Sequence, residues 1–184
     1  MTDARTKLLA ALINEAAAGG LADRSLRDLA GAVGTSHRML LFHFKSRAGL
    51  VSAIVEAVEA AQRNLLDELV DQVSSPAELI LALWARVSSS EMRPFVRLFF
   101  EGVALTGGTG LTDPWLDTAA DVSRRLGITV DQAELRLGVA VSRGLLIDVL
   151  ATGDAREATE SIARFVEIWD LYIDGGIRQR LPPK

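Results

Sequence analysis

The stretch "TSHRMLLFHFKSR" (35–47) holds both histidines of the chain, His37 and His43, together with Arg38, Lys45 and Arg47, and it contains no acid. Cations and imidazoles packed this closely are suited to contacting an anion, and phosphate is the anion that basic clusters most often meet. Covalent or metal chemistry has little to draw on. Neither histidine has a glutamate three residues before it, so the Glu-x-x-His pair of a carboxylate-bridged bundle enzyme is missing. The chain has no cysteine, which excludes disulfides, thiolate metal sites and a thiol nucleophile. No G-x-S-x-G elbow or G-x-x-x-x-G-K-[ST] loop occurs, and "TGGTG" (106–110) lacks the lysine of a phosphate loop. An enzyme is therefore not expected, nor a cofactor, nor a metal.

Charge is spread unevenly along the 184 residues. Residues 1–50 carry seven Lys/Arg against four acids, and the remainder carries 13 against 20. This is a basic head on an acidic body, the arrangement expected when only the head meets an anion. Apolar residues make up 49% of the chain, enough for a substantial core. The N-terminal residues, Met1 to Arg5, lack the apolar stretch of a signal peptide. The richest apolar run, Leu79 to Ala85, has seven residues, well short of a membrane span. No membrane partner is expected, and the default location is the cytoplasm.

The elements that position the basic cluster are helical. Leu8, Leu9, Leu12, Ile13 and Ala16 recur at helical spacing until Gly19-Gly20. Ser25 reads as the N-cap of a second helix over Leu26–Val33, with Asp28 completing the box. Gly34-Thr35 makes a turn, and Ser36 caps a third helix that runs to Phe44. A fourth begins at Ser46, and its apolar positions continue to Val73 for about seven turns. Ser75-Pro76-Ala77-Glu78 is a helix start with its proline at the first helical position. Helices are predicted over Glu91–Leu105 and Thr112–Leu126, then from a capping box at Thr129-Val130-Asp131-Gln132 to about Gly153. The last is predicted from Asp154 to Gly175-Gly176, with Pro182-Pro183-Lys184 as a tail. The fold class is all-α, about nine helices with no strand.

Two short helices joined by a tight glycine-containing turn form the pattern of a helix-turn-helix, here over residues 26–44. In that motif the second helix enters the DNA major groove and presents its first turn to base edges. His37 and Arg38 occupy that turn. Lys45 and Arg47 stand at the entry to the fourth helix, where cations pin phosphates, and Ser25 offers a further backbone contact. His43 has two readings of equal weight, a phosphate contact or a packed side chain at the helix end.

"SLRDLAGAVGTSHRMLLFHFKSRAGLVSAIVEAV" (25–58) resembles the DNA-binding head of the TetR family of bacterial transcriptional regulators. That family's usual pattern there is approximately S-x-x-x-[IL]-A-x-x-x-G-V-S-x-x-[TS]-[IL]-Y-x-[HY]-F-x-[SN]-[KR]-x-x-L. By position, the resemblance implies core roles for Leu40 and Phe44. It implies groove-facing roles for Ser36, His37, Arg38 and Met39, and phosphate contacts for Lys45 and Arg47, with Thr35 of the turn counted among the DNA-binding residues. Met39 replaces a small Thr or Ser and has the chemistry to meet a thymine methyl. Leu41 stands where the family usually has a tyrosine whose hydroxyl bonds a phosphate. The resemblance further implies a homodimer on a palindromic double-stranded operator, a small-molecule effector, and most often repression. It divides the chain into a DNA-binding domain over 1–50 and an effector-binding and dimerisation domain over 51–184, bridged by the helix at about 46–73.

In the body, Trp84, Met92, Phe95, Phe99, Phe100 and Trp115 concentrate aromatic and methionine side chains beside the glycine loop. Any one of them reads as core; as a group they are candidates to line a pocket for a largely apolar ligand, with Arg97 and Glu101 as polar orienters. The last two helices carry more apolar surface than one buried face needs. Leu145, Leu146 and Val149 on one, with Phe165, Ile168, Trp169 and Tyr172 on the other, suggest a four-helix dimer contact. Two competing classes stay open at this level: a helical adaptor that binds only protein, and a helical-bundle enzyme.

Overall fold

The computed structural model describes residues 2–108 and 110–173, with side chains described as far as Asp170. Among the described residues there are nine α-helices and no strand. They are α1 Thr2–Gly19, α2 Leu26–Ala32, α3 His37–Phe44, α4 Arg47–Val70, α5 Pro76–Val87, α6 Arg93–Thr106, α7 Asp113–Arg125, α8 Gln132–Thr152 and α9 Arg156–Ile173. The all-α class read from the spacing is the one observed. The predicted end of the last helix at Gly175-Gly176 and the proline tail lie outside the described residues.

Local chemistry sets most of the boundaries. Ser25 caps α2, accepting from the Asp28 N–H at 3.2 Å while the Asp28 carboxylate accepts from the Ser25 N–H at 2.9 Å. Ser36 and Ser75 cap α3 and α5 without the reciprocal bond, accepting from the Met39 and Glu78 N–H groups at 3.2 Å each, and each cap contributes about 1 kcal/mol. The capping box predicted at 129–132 forms two residues later, between Asp131 and Glu134. Aspartate accepts the N3 hydrogen bond as well as threonine does, and only Asp131 has a glutamate three residues on. The fourth helix ends at Val70, not Val73.

The chain divides into two compact units, one of residues up to Gln62 with Ser90–Leu111, the other of Arg63–Ser89 with residues from Thr112 on. The first holds α1, α2, α3, the start of α4, and α6. Its core is Leu12, Leu21, Leu40, Leu50, Ile54 and Leu98, all fully buried, with Leu29, Val51, Val55 and Phe99 around them. Gly102 lets α6 approach α4, because a Cβ there would lie 2.3 Å from Val55 Cγ2.

The second unit is built from the end of α4 with α5, α7, α8 and α9. Leu66, Leu69, Val70, Leu79 and Val122 form one apolar cluster in it. Arg125 ties α7 to the end of α4 through Asp67 at 3.1 Å and Asp71 at 2.7 Å. The Trp84 indole N–H donates to Thr159 Oγ1 at 2.9 Å, joining α5 to α9. The Trp169 ring lies against Gly138, where a Cβ would be 3.1 Å away, joining α9 to α8. No helix of the described residues is long and apolar enough to cross a membrane.

Candidate nucleic-acid interface

The helix α3 is short, so its packing decides its orientation. Ser36 Oγ accepts from the Met39 N–H at 3.2 Å and starts the helix. Gly34 turns the chain before it with φ +68°, a conformation that suits glycine, and the Thr35 N–H closes on the Ala30 carbonyl at 2.9 Å. Leu40 and Phe44, one turn apart, are buried and hold the helix against the first unit. The Arg5 guanidinium sits 5.2 Å from the centre of the Phe44 ring, so α1 covers the same side. Ser36, His37, Arg38, Met39, Leu41, Phe42 and Lys45 are all exposed. His37 and Arg38 make no hydrogen bond or ion pair among the described residues, which leaves their donors available.

Phe42 has no place in the motif and was not singled out by it, yet it is 53% exposed, more than any other large apolar residue of α3. The signal that finds it is the helical period. A helix advances about 100° per residue, so a position two from both Leu40 and Phe44 points directly away from them. Its ring meets His43 edge-on at 5.0 Å. His43 itself is half-buried between that ring and Phe44, at 6.2 Å from the latter.

The corner after α3 is strained. Lys45 has φ +68° and ψ −41°, and the Ser46 N–H donates to the Phe44 carbonyl at 2.8 Å. This is a γ-turn of the rarer positive-φ form, which costs a non-glycine residue about 1–3 kcal/mol. Gly49 makes room for it, since a Cβ there would lie 2.2 Å from the Phe44 carbonyl oxygen. The turn sends the Lys45 ammonium back along α3, where it donates to the Phe42 carbonyl at 3.0 Å and lies 5.7 Å from the Phe42 ring. A cation at this end also suits the helix dipole.

The turn between α1 and α2 is gripped from both sides, a feature the sequence reading missed. Arg47 donates through Nε to the Arg24 carbonyl at 3.2 Å, and through Nη2 to the Leu21 and Ala22 carbonyls at 2.6 and 3.0 Å. Glu101 of α6 accepts from the Leu21 N–H at 2.7 Å and from the Ala22 N–H. Arg97, one turn earlier, donates to the Ala17 carbonyl at 2.9 Å, and Arg24 pairs with Glu15 at 2.7 Å. Arg97 and Glu101, read from sequence as orienters of a ligand, are thus engaged with the backbone of the head. Arg47 uses three of its five N–H donors here, leaving Nη1 for another acceptor. Ser25 is likewise committed: its hydroxyl donates to Asp28 at 2.6 Å. Those two hydrogen bonds from Ser25, hydroxyl first and backbone N–H second, hold the Asp28 carboxyl below the ordinary carboxylate range.

The other predicted site residues fall in different places. Phe99 is buried in the core of the first unit and meets Phe100 edge-on at 5.0 Å, with Phe95 packed against the same core. Met92 is half-buried in that unit. Trp84, buried and bonded to Thr159, and Trp115, half-buried, belong to the second unit. On α8, Leu146 and Val149 are buried within the single chain and Leu145 is half-buried. On α9, Phe165 and Trp169 are half-buried with their rings 5.4 Å apart and tilted by 36°, whereas Ile168 is exposed. The Tyr172 side chain lies outside the described residues. Leu137 and Ile147 are the exposed large apolar side chains of α8; Ile147 belongs to the apolar surface read from the sequence, whereas Leu137 was not named there.

Neither a family model nor a curated protein matches the chain in sequence. Solved structures do match it in shape. A TetR-family transcriptional regulator from Pectobacterium atrosepticum superposes with a TM-score of 0.75 at 17% identity, covering 94% of this chain and 95% of its own. A transcriptional regulator from Rhodococcus sp. RHA1 gives 0.70 at 19% identity, covering 97% and 99%. The SmeT–triclosan complex gives 0.62 at 19% identity, covering 88% of each chain. Coverage of nearly the full length by such structures means that this chain has the fold of the TetR-family transcriptional regulators.

Proposed function

We propose that the protein is a homodimeric, ligand-responsive DNA-binding regulator, acting as a repressor that a small, largely apolar effector releases from its operator. The observation that carries this reading is the outward face of α3. There His37 and Arg38 stand exposed and without partners among the described residues, in the first turn of an acid-free helix held down by Leu40 and Phe44. Base edges are read by Arg38 and His37; Lys45 and the free Nη1 of Arg47 contact phosphates. Residues 1–50 do the reading, and 51–184 carry the effector pocket and the dimer contact through α8 and α9. Exposed Leu137, Ile147 and Ile168 support that contact. A fold shared with a protein in complex with triclosan supports an apolar effector. Release follows if the ligand prefers the spacing of heads that no longer fits adjacent grooves.

Selection of bound duplexes from a random pool tests this. The expected product is a palindrome whose half-site centres lie about 34–36 Å apart. Retention of no duplex at any salt concentration, or a clean monomer in ultracentrifugation at micromolar concentration, would overturn the reading.

A further inference from the structure

The chemistry at the centre of the reading face is apolar. Measured from Leu40 and Phe44, Phe42 points away from the core, with Arg38 about 40° to one side of it and Met39 about 60° to the other. Phe42 is 53% exposed, Met39 42% and Leu41 37%. An aromatic ring and a thioether stand about half open to water at the outermost point of the helix, with the ring set edge-on to the neighbouring His43. Their rim is cationic: Arg38 is unpaired among the described residues, and the Lys45 ammonium sits 5.7 Å from the Phe42 ring. That rim disfavours a basic or neutral protein partner and suits a polyanion whose recognisable surface includes apolar groups. In the major groove of duplex DNA the one apolar group on a base edge is the thymine 5-methyl.

Resting on the regulator reading above, we propose that Phe42 and Met39 determine operator specificity by packing on thymine methyl groups, with Arg38 fixing an adjacent guanine. The half-site then requires thymine at the position under Phe42, and at a neighbouring position under Met39. Lys45, bonded to the Phe42 carbonyl at 3.0 Å, keeps the ring side supplied with charge near the phosphates.

The test uses the full chain and the duplex recovered by selection. Each half-site thymine is replaced in turn by deoxyuridine, which keeps the base pair and removes only the methyl. The expected loss is about four-fold in Kd per methyl at the contacted positions, the effect of one methyl-sized group leaving an apolar contact. Phe42→Ser should abolish sensitivity at one thymine and Met39→Ser at the other, while circular dichroism checks that α3 is intact. Selected half-sites without thymine, unchanged binding to every uracil duplex, or unchanged uracil sensitivity in both variants would overturn the inference and leave DNA binding standing. If no duplex is retained at all, the regulator reading falls, and this inference with it.

Discussion

Replacing Arg47 separates two roles that the structure gives to one side chain. In Arg47→Ala the carbonyls of Leu21, Ala22 and Arg24 lose a charged donor. Hydrogen bonds to a charged group contribute about 1.5–3 kcal/mol when buried. The bond to Ala22 is exposed and its carbonyl rehydrates, so it adds almost nothing. The bonds to Leu21 and Arg24 are partly buried, and discounting each to about 1 kcal/mol gives a loss of about 2 kcal/mol. For a chain of this size that is a fall of roughly 4–8 °C in Tm. Calorimetry and urea denaturation read this directly. DNA binding across a salt series reads the second role: if Nη1 also meets a phosphate, the slope of log K against log salt falls by about one unit. Arg47→Lys divides the two, because an ammonium keeps the charge but cannot span three carbonyls as a planar fork does. It should keep the salt slope and lose most of the clamp's contribution of about 2 kcal/mol. An Arg47→Ala protein as stable as the parent refutes the clamp, whatever its DNA binding.

Three other perturbations follow from the same geometry. Glu101→Ala leaves two turn N–H groups without their carboxylate and should cost about 2 kcal/mol, whereas Glu101→Gln keeps an acceptor and should cost about half as much; equal losses would mean that charge alone matters. Gly49→Ala sets a gain of about 1 kcal/mol in helix propensity against a Cβ 2.2 Å from a backbone oxygen that no rotamer can relieve. The clash should win by about 1–2 kcal/mol and displace α3 enough to weaken DNA binding. Gly31→Ala, where nothing lies within 4 Å, is the control and should stabilise by up to about 1 kcal/mol. Asp28 titrates below an ordinary aspartate because Ser25 hydrogen-bonds its ionised form. Its contribution to stability is therefore complete above the unfolded-state value and disappears as pH falls through the lower folded-state value. An NMR titration of the Asp28 carboxyl that gives an ordinary or raised midpoint would contradict the capping geometry.

What the sequence revealed and what it hid divide by the range of the interaction. Caps are contacts across three residues, so Ser25, Ser36 and Ser75 could be placed from side-chain chemistry alone, and Leu40 with Phe44 from the helical period. Asp131 was misplaced by two residues because Thr129 and Asp131 both satisfy the local rule, and the partner at Glu134 decides between them. The grip on the α1–α2 turn had no local signal: Glu101 lies 80 residues from Leu21, and nothing in its neighbours marks it as a backbone acceptor. A polar pair one turn apart, Arg97 and Glu101, looks the same whether it faces a ligand or the N–H and C=O groups of a distant loop. That Leu41 stands where the resembled family has a tyrosine was legible, but where the nearby cation of Lys45 stands depends on the corner after α3. With Lys45 held at positive φ, its ammonium is turned back toward α3 beside Phe42. Strain at Lys45 therefore sets where the cation stands. A Lys45→Gly protein, which relaxes the turn and deletes the cation, should be more stable yet bind DNA more weakly; a gain in both would mean that the turn is only a connector.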